Sequence, residues 1–380
     1  VGTGAKNKPY RRIWATRIGA VSIAAAVSML ASCGIGHTPN QPSASPDSDV
    51  QRKTEHPSLI FGQGNTNPYT VDISGAATDP DSQHFMNNIR GQFAANKSLV
   101  PLNTDHYNSA FVVADAHVPR TNLTFDNCQK KPGTPPGLYD GPAHFTNVPI
   151  PADATPAKGN DGALAIWSPQ TDQVWEFWQV KKKGEGSWSA CWGGRLDHAS
   201  GSNGVFPVPY GTSASGLVTI GSMISLAEAR NGNIPHAMNL GLTSIATQPI
   251  VVPANRTDGT STERSAPPMG SRLRLDPSLN VDALNLTPLG KTVAKAAQKY
   301  GFIVTESADV PSIGVESGLH EKQRTGKDPW EAILGGTPSY EQLRNFPWEH
   351  VHVIQLGYAP EGVPGGEVNP HTGQAATPAK

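Results

Sequence analysis

The chain has 380 residues, of which 37% are apolar and 16% charged, with 39 Gly, 34 Pro and a formal net charge of −1. Counting Gly with the apolar set brings that share to about 47%, enough for a sizeable core, while charge stays well under the usual ~25%. The Gly and Pro excess argues against a helical bundle or coiled coil and for short strands joined by turns. The lack of positive charge argues against a nucleic-acid binder.

Lys6, Lys8, Arg11, Arg12 and Arg17, with no acid among them, precede an apolar run from Ile18 to Ser32. The run is too short to span a bilayer comfortably, and residues 1–32 read as a secretory signal. The sequence Leu30-Ala31-Ser32-Cys33-Gly34 resembles the bacterial lipobox. That resemblance implies cleavage before Cys33, a lipid on its thiol, and anchoring to the outer face of the cell membrane, with the lipid bilayer as partner. Residues 1–32 carry five basic residues and no acid, so the formal net charge moves from −1 to −6 without them. An acidic protein is poorly placed to gather polyanions by long-range steering, which leaves neutral glycans, peptides or proteins as expected partners and disfavours nucleic acid. Two thiols then remain, Cys128 and Cys191. In an exported chain they read as one disulfide, contributing roughly 3–4 kcal/mol by loop closure; a reactive free thiol is the alternative.

Residues 33–57 are rich in Pro, Ser, Asp, Gln and Thr and read as a flexible tether. Residues 359–380, rich in Pro, Gly and Ala, read as a disordered tail, leaving 58–358 as one β-rich globular domain. Within it Ala110 to Ala114 is a short apolar strand. Ala163 to Trp167 and Val174 to Val180 flank the turn Ser168-Pro169-Gln170-Thr171-Asp172 as a hairpin. Period-two alternation sets Val174, Glu176, Trp178 and Val180 on one face and Trp175, Phe177 and Gln179 on the other. Ser187 to Trp192 is expected as the third strand of a meander, with Trp188 and Trp192 on one face and Cys191 opposite.

Helix signals are few. Ser225 and Glu228 form a capping box, with Gly232 placed to end that helix. Thr287-Pro288 opens the best helix, with Leu289, Val293, Ala296 and Tyr300 at helical spacing and Gly301 as its stop. Phe302 to Thr305 follows as a strand. Ser339 caps a short helix over Tyr340 to Asn345, and His350 to Leu356 is the last strand. The fold class expected is mainly β: a β-sandwich or jelly roll with two or three short peripheral helices.

Several motifs resemble a widespread group of secreted actinobacterial proteins. They are Asp161-Gly162-Ala163-Leu164, Trp175-Glu176-Phe177-Trp178, Trp188 with Trp192-Gly193-Gly194, and Ala214-Ser215-Gly216-Leu217. They continue through Gly232-Asn233-Ile234-Pro235-His236-Ala237, Arg256-Thr257-Asp258-Gly259, the run Pro268 to Leu275, and Lys299-Tyr300-Gly301. The resemblance covers residues 143–353 and implies a β-rich fold and an envelope address, with no assigned activity. The stretch before Ala143 and the Pro/Gly tail depart from it.

Five of the eight Trp (Trp167, Trp175, Trp178, Trp188 and Trp192) fall on the three expected strands. Their faces suit sugar rings, with Trp175, Trp178, Trp188 and Trp192 as the binding candidates; equally, strand aromatics at this spacing fill cores. The acid/base candidates are Glu176 beside Trp178, Asp197, His198, His236 and Glu316. Glycoside hydrolysis needs two carboxylates about 5–9.5 Å apart, and His has the pKa for proton transfer near neutrality. Against this stand solvated acids and buried, backbone-bonded histidines. His350-Val351-His352 is an H-x-H pair without an evident third ligand, so no metal is assigned. No nucleotide, nucleophile-elbow or metal motif implies a cofactor.

Taken together, these features suggest a cell-surface lipoprotein that binds neutral polysaccharide in an aromatic-lined groove. If it is an enzyme, it is a glycoside hydrolase or polysaccharide lyase. The alternative is a non-catalytic structural or interaction lipoprotein of the envelope.

Overall fold

The computed structural model describes residues 45–62, 67–184 and 186–377. The signal segment 1–32 and Cys33 lie outside these residues. Two four-stranded sheets organise the chain. The first holds β1 (Ser109–Val113), β2 (Ala163–Ser168), β3 (Gln173–Trp178) and β4 (Trp192–Asp197), in the order β4-β3-β2-β1. The hairpin β2–β3 is antiparallel, as expected, with Ala165 opposite Glu176 and Ile166 opposite Trp175. β1 joins β2 in parallel, through a long crossover that local sequence does not announce.

The second sheet holds β5 (Met238–Leu242), β6 (Arg272–Leu275), β7 (Phe302–Ser307) and β8 (Val351–Val353), in the order β5-β7-β6-β8. β5 and β7 are parallel, whereas β6 runs antiparallel to both β7 and β8.

Period two explains the core. Leu164, Ile166, Trp175 and Phe177 point from the first sheet into a cluster with Phe145 and Trp188. Ala165, Trp167 and Val174 point the other way, into a larger cluster shared with the second sheet. The first sheet is thus buried on both faces, and Trp167, Trp175 and Trp188 are core residues exposed by 3% or less.

Helices carry more of the structure than the sequence suggested, and the fold is a mixed arrangement of small sheets and helices rather than a sandwich. α1 spans Pro46–Glu55, α2 Ser82–Ala95, α3 Leu226–Asn231, α4 Pro288–Lys299, α5 Leu319–Thr325 and α6 Pro329–Leu334. α2, which escaped notice, places Phe85, Met86, Ile89 and Phe93 in the large core at helical spacing. α4 forms where its cap and Pro predict: the Thr287 hydroxyl accepts from the Gly290 N–H, and Leu289, Val293 and Ala297 are buried. Gly301, at φ +77°, turns the chain into β7; a Cβ there would sit 2.2 Å from the Leu273 carbonyl oxygen, so only glycine fits.

Other boundaries need correction. Ser187–Ala190 pairs with Lys181–Gly184 and Thr124–Phe125 in a separate sheet, and the meander's third strand starts only at Trp192. The helix expected over Tyr340 to Asn345 is a single 3-10 turn at Ser339–Glu341, and the last strand shrinks to β8. The expected tether contains α1, capped by Ser45. The expected disordered tail contains a hairpin, Gly365–Val368 with Ala375–Thr377, whose Val368 is buried and donates its N–H to Ile250. Cys128 and Cys191 form a disulfide, with Cα atoms 5.6 Å apart. Among the described residues no helix is long and apolar enough to cross a membrane.

Candidate functional site

A cavity of about 490 Å³ lies where the two sheets meet, between the start of β1 and β2, the end of β3 and the C-terminal half of β7. Its size falls in the ~300–1,000 Å³ range of small-molecule sites. Trp178, the last residue of β3, forms part of the wall, and its indole N–H donates to Asp161 Oδ1 at 3.0 Å. The Gln179 N–H donates to the Asp161 carbonyl, so one residue fixes both the ring and the strand end. Tyr107, 56% exposed and at φ +55°, stands at the rim. An aromatic residue in that left-handed conformation is uncommon and tends to mark a site.

Glu306 reaches the cavity because of a register shift. Leu240 pairs with Val304, but the next residue, Gly241, pairs with Glu306, leaving Thr305 as an extra residue in β7. Such bulges re-aim side chains. Glu306 Oε2 accepts from the Ala214 N–H at 3.1 Å. Burial pushes its pKa up to about 8; Asp258 and Asp161 add to the shift, while the Ala214 N–H and Arg256 oppose it. Asp258 in turn accepts from the Ser307 hydroxyl at 2.8 Å. Arg256 lies behind this wall, donating to the carbonyls of Pro209, Tyr210 and Ser213.

The residues singled out from sequence distribute unevenly around this cavity. Trp178 lines it. Glu176 faces the same way, as the alternation required, but lies one hydrogen bond behind the wall. Its Oε2 accepts from the hydroxyl of Thr212, a lining residue, at 2.9 Å, and its Oε1 accepts from the Ile220 N–H at 3.1 Å. Burial raises Glu176 to about 7. Trp175 and Trp188 belong to the core and cannot stack on a ligand. Trp192 lies elsewhere, half-buried, stacked on Tyr210 at 5.9 Å with the Lys131 ammonium 3.5 Å from its ring centre. Of these four candidates, Trp178 alone lines the cavity.

Asp197 and His198 are exposed at the end of β4, where Asp197 pairs with Arg195 at 2.9 Å. Glu316 turns away from the cavity and accepts from the Leu226 N–H at 2.8 Å; burial raises it to about 7.

His236 belongs to a second buried cluster. Its Nε2 lies 3.0 Å from Glu228 Oε2 and its Nδ1 2.9 Å from the Ala237 carbonyl. Glu228 also receives the Ser225 N–H and, at 3.0 Å, His56 Nδ1. Burial alone would raise Glu228, but His236 and these hydrogen bonds outweigh it and hold the carboxyl at about 2. Burial alone would likewise lower His236, and Glu228 reverses the shift upward. His350 sits in a 3-10 turn rather than in the strand that holds His352. Among the described residues no group of three or more His, Cys, Asp or Glu is assembled to hold a metal ion.

Sequence reasoning missed Asp161, Asp258, Glu306, Asn108 and Tyr107. Asp161 and Asp258 stand inside motifs already singled out. Glu306 carried a weaker signal, a carboxylate directly continuing the apolar run Phe302 to Thr305. Compared with models of known protein families, with curated proteins and with solved structures, the chain matches none.

Proposed function

We propose that this chain is a lipoprotein of the cell envelope, anchored through Cys33, that binds a short stretch of saccharide in the cavity between its sheets. The observation that supports this reading is the pairing of Trp178 and Tyr107 with carboxylate, amide and hydroxyl side chains around about 490 Å³. Sugar rings call for that combination: an apolar platform for C–H faces and buried polar groups for hydroxyls. The core positions of Trp167, Trp175 and Trp188 restrict the platform to one or two rings in place of an extended groove.

If binding leads to cleavage, Glu306 is the proton donor to the leaving oxygen, since a carboxyl held at about 8 keeps its proton at neutral pH. The second reading, a non-catalytic interaction lipoprotein, draws on the same burial of the tryptophans.

Titration calorimetry of the purified protein against neutral, amino and uronate oligosaccharides tests the proposal, with reducing-sugar release read in parallel. Binding that quenches Trp fluorescence and weakens at least about tenfold in Trp178→Ala is expected. No binding and no release across the panel overturns the saccharide reading. Binding without release assigns the protein to the non-catalytic class.

A further inference from the structure

The cavity wall carries a charge pattern that a neutral sugar does not answer. Asp161, Glu306 and Asp309 line it, and no Lys, Arg or His does among the described residues. Asp258 stands just behind, close enough to raise Glu306, while Arg256, the cation nearest in chemistry, is committed to three backbone carbonyls. An acidic sugar entering this wall would add to the repulsion.

Three acceptor oxygens at this wall are also left over. Asn108, which lines the cavity and is 5% exposed, uses its Nδ2 to reach the Asn103 carbonyl at 2.8 Å. Its Oδ1 is buried without a partner among the described residues. A buried acceptor in that state is destabilising, so the site gains from any ligand donor that reaches it. Glu306 Oε1 and Asp161 Oδ2 likewise have no partner among the described residues, their other oxygens being taken by Ala214 and Trp178. Once Glu306 is ionised, these three oxygens are acceptors beside two aromatic rings. An ammonium group has three donors, no acceptor and a positive charge, and it is attracted to aromatic faces.

We propose that the cavity takes a ligand bearing a protonated amine, and, resting on the saccharide reading above, that this ligand is an amino sugar whose amine is free rather than acetylated. The ammonium would donate to Glu306, Asn108 and Asp161 while the ring lies against Trp178. Glu306 would give up its proton as the cation arrives, so binding releases a proton to solvent; Asp161, Asp258 and Arg256 are the charged groups that set how readily it does so.

The test is calorimetry at pH 6.5 with four probes: the disaccharide of glucosamine, its N-acetylated counterpart, cellobiose, and butylamine. The glucosamine disaccharide is expected to bind at least about tenfold more tightly than the two neutral disaccharides. Repeating the titration in buffers of different ionisation heat should show proton release. Glu306→Gln, which keeps an oxygen for the Ala214 N–H, should abolish both the preference and the release. Equal binding of the three disaccharides would overturn the amine inference and leave the saccharide reading standing. Binding of butylamine with none of the sugars would overturn the saccharide reading instead. No binding by any probe overturns both.

Discussion

Two glutamates, the fully buried Glu228 and the cavity-lining Glu306, meet opposite treatment in this fold. Glu228 is fully buried yet ionised, because the Ser225 N–H, His236 and His56 all converge on it. Glu306 receives one backbone N–H, has carboxylates for neighbours, and is driven toward its neutral form. The first arrangement spends every acceptor inside the protein and has nothing left for a ligand. The second leaves acceptor capacity facing a cavity. Perturbed carboxylates occur at structural and functional positions alike, and here the direction of the shift, together with the unspent oxygen, separates the two.

The largest expected effect comes from breaking the satisfied cluster. Glu228→Ala strands His236 as a buried group without its counter-charge and removes one half of the α3 capping box, so a loss of about 3–5 kcal/mol is expected in urea unfolding. The pH dependence has a defined sign. Glu228 is depressed from its ordinary 4.5 to about 2, so its contribution is intact above about 4.5 and drains away as pH falls toward 2. A Glu228→Ala protein that unfolds within about 1 kcal/mol of the wild type would break the contrast.

Glu306 should behave in the reverse sense. With its pKa raised to about 8, the folded state binds a proton that the unfolded state has released, and stability falls as pH climbs from 4.5 to 8. Glu306→Gln removes that liability. It should stabilise the protein at pH 8.5, on the order of 4 kcal/mol, and change little at pH 4. Thermal melts at the two pH values read this directly; destabilisation at pH 8.5 would mean the carboxylate is satisfied after all. Smaller still in free energy, Trp178→Ala should weaken saccharide binding at least about tenfold, or ~1.4 kcal/mol, while the far-UV circular dichroism stays unchanged.

What the sequence disclosed tracks the range of the interaction concerned. The Ser225–Glu228 capping box, the Thr287-Pro288 start of α4 and the β2–β3 hairpin are all settled within a few residues, and each is where it was expected. The parallel partners β1 with β2 and β5 with β7 are joined across long crossovers, and no local pattern encodes who pairs with whom. Alternation correctly placed Trp175 and Trp178 on opposite faces of β3, but it could not tell which face was core, because the first sheet is covered on both sides. Glu306 depended on a one-residue bulge opposite Gly241, a feature of pairing rather than of composition.

α1 shows the same limit from another side, and it supplies the smallest effect in the series. It has no buried residue, so composition read Pro46–Glu55 as tether. Its Val50 packs, partly buried, against the large core, and at its C-terminal end the Ser225 hydroxyl donates to the Glu55 carbonyl at 2.7 Å while His56 reaches Glu228 at 3.0 Å. A hydrogen bond of this kind contributes about 1 kcal/mol, enough to favour docking but not to survive the loss of either partner untouched. His56→Ala should therefore speed amide hydrogen exchange across 46–55 by about fivefold, leave exchange in β7 unaltered, and leave ligand binding at the cavity unaltered too. Because Glu228 keeps His236 and the Ser225 N–H, global stability should move by no more than about 1 kcal/mol. A larger global loss would make His56 as integral to the buried cluster as His236, and α1 would then be part of the core architecture instead of an arm fastened to it.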